Sequence, residues 1–206
     1  MKTKAKTLTL VAVLIAVMLL FGFTPIGYIP LGVIQITLMC IPVIIGTLVL
    51  GLKTGILLGA IFAITSFVQL FTGSSIFNVL FFQPEAWYEP VLFILIIVVP
   101  RMLIAPAVFC VYKFMRIKNI PVKVGISAAV GSAVNTVIFL SMMQWFFAER
   151  IDGLIASLGL EYVNSGAMLS IIGATNGLPE IAACVIICTP VILALSKIYK
   201  KQEKTA

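Results

Sequence analysis

Residues 91–112 read VLFILIIVVPRMLIAPAVFCVY, a run in which Arg101 is the single charge. As an α-helix at 1.5 Å per residue it is about 33 Å long, enough to cross the roughly 30 Å hydrocarbon core of a bilayer. Polar and apolar residues do not alternate along it, as they would in a barrel strand, so the run reads as a membrane-spanning helix. Working outward, similar runs recur, and the pattern predicts helices over about 8–21, 34–50, 54–71, 91–112, 124–147 and 167–198. The chain is 62% hydrophobic and 10% charged, where a soluble domain carries about 25% charged residues. Lipid is therefore its solvent, and every backbone polar group has to be satisfied inside the protein. The expectation is an all-α membrane protein: six transmembrane helices forming a single integral membrane domain over 1–206.

Charge placement orients it. With the N-terminus in the cytoplasm, that side holds Lys2, Lys4, Lys6, Lys53, Lys113, Arg116, Lys118, Lys123, Lys197, Lys200, Lys201 and Lys204. The outer loops hold Arg150 with Glu85, Glu89, Glu149, Asp152 and Glu161. This positive-inside bias favours an even number of helices with both termini cytoplasmic, in a multi-pass protein of a cell membrane. It also accounts for the +7 net charge without nucleic acid. The basic start and apolar run from Leu8 imitate a signal peptide. No clean small-x-small cleavage site follows, so it reads as a retained first helix.

With no histidine in the chain, the commonest general base and metal ligand is missing. Cys40, Cys110, Cys184 and Cys188 all lie in apolar segments. Cys184 and Cys188 share a helical face, which suits a metal pair or, as is commoner, buried inert thiols. The chain reads as a non-enzyme without cofactor or metal.

Arg101 and Glu180 are charges inside apolar helices. A charge at mid-bilayer costs at least ~2.5 kcal/mol, so each should face the bundle interior. Counting from the outer helix ends at 1.5 Å per residue puts Arg101 at roughly 15 Å, Asn135 at roughly 18 Å and Glu180 at roughly 20 Å. Asn176 lies one turn above Glu180 on the same face. Two readings stay open. Arg101 and Glu180 could form a structural ion pair, with the asparagines as interhelical glue. Alternatively, all four line a pocket for a small polar ligand. Pro100 and Pro179, each directly before a charge, free backbone carbonyls one turn earlier, and such breaks are tolerated where they line a cavity. Gln83, Trp87 and Tyr88 are candidate lid residues, though aromatics there also suit an interfacial belt. Tyr28, Gln35 and Thr37 could close the pocket from the other side. Ala12 and Ala16, four apart on helix one, make a flat face on which another helix can approach.

Several stretches resemble the substrate-binding S components of energy-coupling factor (ECF) vitamin transporters, over nearly the whole chain. They are TPIGYIPLG (24–32) leading into IPVIIG (41–46), LGLKTG (50–55), Pro100-Arg101, Asn135-Thr136 and NGLPE (176–180). The resemblance implies an S-component-like bundle with a vitamin site near the outer face, built by helices four to six and the outer loops. It implies that the Ala12/Ala16 face docks on a transmembrane coupling subunit, and that two ABC ATPases supply energy. The absence of a GxxxxGK[ST] sequence agrees with energy coming from a partner. Ile34-Gln35-Ile36-Thr37 stands where riboflavin-type members carry a Leu-Lys-x-Asp-like segment, and the first loop is similar to biotin members. The later motifs fit the broader group that includes pantothenate members, and pantothenate is the favoured substrate because Arg101 could pair with its carboxylate. Riboflavin, biotin or another vitamin remain alternatives. A stand-alone secondary transporter is a further one, although no internal repeat supports it. An intramembrane enzyme finds no Ser/Lys or paired-aspartate site.

Overall fold

Eight successive residues, Cys40 to Thr47, are buried on every side of one short helix. A helix apolar all round belongs in the middle of other helices, and this one, α2 (Cys40–Leu50), is the axis of the bundle. The computed structural model describes residues 2–24, 27–31, 34–72, 82, 84, 86–157 and 163–203. Around α2 stand α1 (Lys2–Phe23), α3 (Leu52–Thr72), α4 (Glu89–Phe114) and α5 (Ile120–Ser157). The last arm is continuous: α6 (Ser165–Ile172), a π-helical turn (Gly173–Gly177) and α7 (Leu178–Glu203). A hairpin of β1 (Tyr28–Leu31) and β2 (Ile34–Thr37) joins α1 to α2, antiparallel, with Tyr28 opposite Thr37 and Leu31 opposite Ile34. Among the described residues, four runs are long and apolar enough to cross a membrane: Leu52–Phe71, Glu89–Phe114, Ile120–Ser157 and Ser165–Lys197. The apolar part of α1, Thr7–Phe23, and α2 itself are shorter.

Two expectations need correcting. The second helix begins at Cys40, not Ile34, and the preceding stretch is a hairpin, not a loop. Ile34-Gln35-Ile36-Thr37 alternates and is rich in β-branched residues, a strand pattern that its overall apolarity disguised. Pro30 is tolerated because both strands of a two-stranded ribbon are edges. The fifth helix does not end at Phe147. The chain kinks there (φ −129°, ψ 16°) and runs on as helix to Ser157. Met143, Phe147, Ile151 and Ile155 repeat every four residues and are all buried, so an apolar stripe continues through a segment whose charges suggested a loop.

Small residues set the helix spacing. A Cβ at Gly59 would lie 2.8 Å from the Arg101 carbonyl oxygen. One at Gly131 would overlap Val108, and one at Gly55 would overlap Thr47. Gly51, at φ +96°, makes the turn between α2 and α3 in a backbone region other residues avoid. These contacts pair the start of α3 and of α5 with the later half of α4. Gly125 of α5 meets Val185 and Thr189 of α7, and Leu14 and Leu58 both meet Gly46. The arms therefore alternate in direction, and the first and last arms place their free ends at one end of the bundle. That end carries Lys53, Lys113, Arg116, Lys118, Lys123 and Lys197, and the opposite end carries Glu89, Glu149 and Asp152.

Gly131→Leu should lower the melting temperature in detergent by an amount equivalent to roughly 1–3 kcal/mol of overpacking. Gly153→Ala, where a Cβ meets nothing within 4 Å, should be neutral. Equal shifts in a thermal-melt comparison would contradict the close α4–α5 approach.

Candidate functional site

Pro179 has no N–H to give the Thr175 carbonyl, and its ring crowds that carbonyl. The chain widens into the π turn over 173–177 just before it. Such turns occur frequently at functional sites. Asn176 sits in this turn, 7% exposed, and Glu180, 4% exposed, lies one turn on. The Glu180 carboxylate accepts a hydrogen bond from the Cys40 thiol at the start of α2 (Sγ to Oε1, 3.2 Å). Ser132 and Asn135 of α5 face the same carboxyl, and Arg101 of α4 is close enough to act on it electrostatically. Asn135 Oδ1 and Asn176 Nδ2 are buried with no hydrogen-bond partner among the described residues. Cys184 and Cys188 continue the α7 face inward, both buried, and Cys188 Sγ lies 3.9 Å from the Ile41 carbonyl oxygen.

Arg101 is held differently. Its guanidinium lies between the Phe62 ring of α3, 5.4 Å away, and the Phe139 ring of α5, 5.0 Å away. Cations favour the faces of aromatic rings, and desolvation strengthens the attraction. Nη1 donates to the Ile96 carbonyl at 3.4 Å. That is the carbonyl Pro100 leaves without its helical donor. The proline and the arginine thus form one device, in which the first frees an acceptor and the second uses it. Between described side chains, the ion pair within 4 Å is Arg150–Glu89, so Arg101 and Glu180 do not touch directly.

The four deep polar residues named from sequence, Arg101, Asn135, Asn176 and Glu180, therefore come from three arms to one region of the bundle. β2 runs alongside the π turn, which sets the hairpin over Asn176. Thr37, at the end of β2, accepts from the Met39 N–H through Oγ1 at 3.2 Å and fixes the entry to α2. The backbones of Tyr28 and Gln35 lie in this hairpin, while their side chains and all of Gln83 lie outside the described residues. Trp87 is 89% exposed and Tyr88 50%. They stack edge to face at 5.9 Å, about 20 Å of helix from Arg101, and are not part of the deep cluster.

Cys40, Ser132, Phe62 and Phe139 escaped the sequence reading. Only Ser132 carried a signal, three residues before Asn135 on the same helical face. At the acidic end a second polar group ties α4, α5 and α6. Arg150 Nη1 donates to Glu89 Oε2 at 2.6 Å, Asp152 Oδ1 accepts from the Ser165 N–H at 2.5 Å, and Gln144 donates to Ser165 Oγ at 3.2 Å. Asn164 caps α6 by accepting from the Ala167 N–H at 2.7 Å. Two open grooves of about 480 and 400 Å³ flank Trp145 on α5, and neither is lined by Arg101 or Glu180.

A family model described as "ECF transporter, substrate-specific component" matches residues 6–192. The Pantothenic acid transporter PanT of Lactococcus lactis subsp. cremoris (strain MG1363) is 33% identical over 207 residues, covering 95% of this chain and 96% of that protein. The chain belongs to the ECF transporter substrate-specific component family. It is a transport protein of the membrane rather than an enzyme.

Cys40→Ala should remove the thiol donor to Glu180 and lower the melting temperature by the equivalent of roughly 1–3 kcal/mol for an unsatisfied buried acceptor. Cys40→Ser should retain most of the stability. A serine variant as unstable as the alanine one would show that the thiol serves packing alone.

Proposed function

We propose that this chain is the capture subunit for pantothenate in an ECF-type transporter, binding the vitamin from outside and passing it inward. The observation that carries the substrate is the end-to-end similarity to the Lactococcus protein named a pantothenic acid transporter. The chemistry of the deep cluster agrees with it. Pantothenate offers a carboxylate, an amide and two hydroxyls. Arg101 would face the carboxylate. Asn135 Oδ1 and the Glu180 carboxylate would accept from hydroxyl or amide groups, and Asn176 Nδ2 would donate to an oxygen. Each of these atoms is buried, so a ligand that completes them is favoured over one that leaves them unpaired. Gln83, Trp87, Tyr88, Tyr28, Gln35 and Thr37 are the outer-side residues through which the site would close.

The orientation follows from charge. Six spans with both termini in the cytoplasm put the basic end inside, as the positive-inside bias requires, and open the site toward the acidic end. α1 would locally thin the bilayer, or snorkel its flanking lysines, to compensate for its short apolar run. The partners would be a transmembrane coupling subunit and two ABC ATPases. Ala12 and Ala16 are both exposed on α1, beside exposed Leu8, Val13, Leu19 and Leu20. That face suits close approach of the coupling subunit's helices.

Mass spectrometry of the ligand retained by purified protein should find pantothenate at about one per chain, and retention of riboflavin or biotin instead would replace the substrate. Arg101→Ala and Glu180→Gln should each weaken binding at least roughly tenfold, about 1.4 kcal/mol, measured by titration calorimetry. Normal affinity in both would return the two charges to a structural role. Ala16→Trp should spare vitamin binding and reduce co-purification of the coupling subunit, and full assembly would return the alanines to ordinary packing.

A further inference from the structure

We propose that the connector between α4 and α5 is a binding site for anionic phospholipid headgroups. Residues 113–123, KFMRIKNIPVK, hold four cations. No acid occurs anywhere from Pro90 to Ala148 to neutralise them. The surface is mixed in a particular way. Lys113, Arg116 and Lys118 are exposed, and between them and on the way to Lys123 stand exposed Phe114 (73%), Ile117 (38%), Ile120 (49%) and Val122 (44%). A soluble anion would answer the charges and leave the apolar side chains in water. A bilayer surface answers both, phosphate to the cations and acyl chains to the apolar groups.

The connector is also pre-shaped. Lys123 Nζ lies 4.6 Å from the centre of the Tyr112 ring, clasping the first turn of α5 to the last turn of α4. Lys113 Nζ lies 5.8 Å and 5.9 Å from the Phe109 and Phe114 rings. Those contacts occupy the two flanking lysines and leave Arg116 and Lys118 as the outward pair, at the level where two long apolar helices end. Arg suits phosphate because its planar fork can donate two hydrogen bonds at once. A membrane-facing patch on this loop is distinct from the charge bias that sets topology, because topology counts basic residues at one end without regard to which loop bears them.

The test uses the full-length protein in detergent with a mixture of phosphatidylglycerol and phosphatidylcholine, read by native mass spectrometry. The wild-type chain should retain phosphatidylglycerol preferentially. R116Q/K118Q should lower that preference by roughly fivefold for each neutralised side chain, which is about 1 kcal/mol each. K53Q/K197Q, which removes the same charge from the same end, should leave it unchanged, and vitamin binding should be normal in both variants. Equal losses in the two variants would reduce the effect to net charge and overturn the site. An unchanged lipid preference in R116Q/K118Q with weakened assembly on the coupling subunit would overturn it in favour of a protein-docking surface.

Discussion

A carboxylate held in the middle of a lipid-immersed bundle is unstable unless protein groups replace its water, and this requirement organises the centre of the molecule. Glu180 finds a thiol from α2 as a hydrogen-bond donor, with Ser132 and Asn135 of α5 facing it and an arginine field from α4. Those contributions need α2 to start at the depth of Glu180, which is why the chain cannot enter α2 as a full-length span. The eleven-residue helix and the hairpin above it follow from the same demand. The hairpin pairs only the facing backbone groups of its two strands, and it stands in the chain where a longer second helix would have begun.

The prolines belong to the same scheme. Each of Pro100 and Pro179 stands one residue before a charge within the bundle and removes one helical hydrogen bond. At Pro100 the freed Ile96 carbonyl is taken by Arg101 itself. At Pro179 the helix widens into a π turn that carries Asn176. In one case the break anchors a cation, and in the other it turns an amide toward the interior. At these two prolines the backbone irregularity lies beside a polar side chain, a form in which lipid tolerates it.

Much of this was legible in the sequence, because misplaced polar residues are conspicuous in a 62% hydrophobic chain. Arg101, Asn135, Asn176 and Glu180 stood out by depth alone, and helix spacing brought two of them onto one face. The rest was hidden for physical reasons. Cys40, Ser132, Phe62 and Phe139 are ordinary residents of apolar helices, and only the folded arrangement aims them at a charge. The hairpin was masked because β-branched residues are as hydrophobic in a strand as in a helix, so Ile34 to Thr37 prolonged an apolar run. The last ten residues of α5 were masked by the opposite bias. Glu149, Arg150 and Asp152 suggested a loop, while the four-residue repeat ending at Ile155 kept the helix going.

The two ends of the bundle are built by different rules, and the difference bears on how it works. At the acidic end two of the charges are met internally: Glu89 by Arg150, and Asp152 by the start of α6. Glu89 also sits in the first turn of α4, where a negative charge is favoured by the helix dipole. These bonds fasten α4, α5 and α6 to one another beside the region where the π turn and hairpin lie, so the walls around the polar cluster are braced. At the basic end Lys53, Arg116, Lys118 and Lys197 are exposed. Charges met within the protein stabilise a shape, whereas charges left at a surface are available to something else. A bundle braced at one end and charged at the other is suited to holding a small solute steadily at the first while the second engages the membrane and its partners.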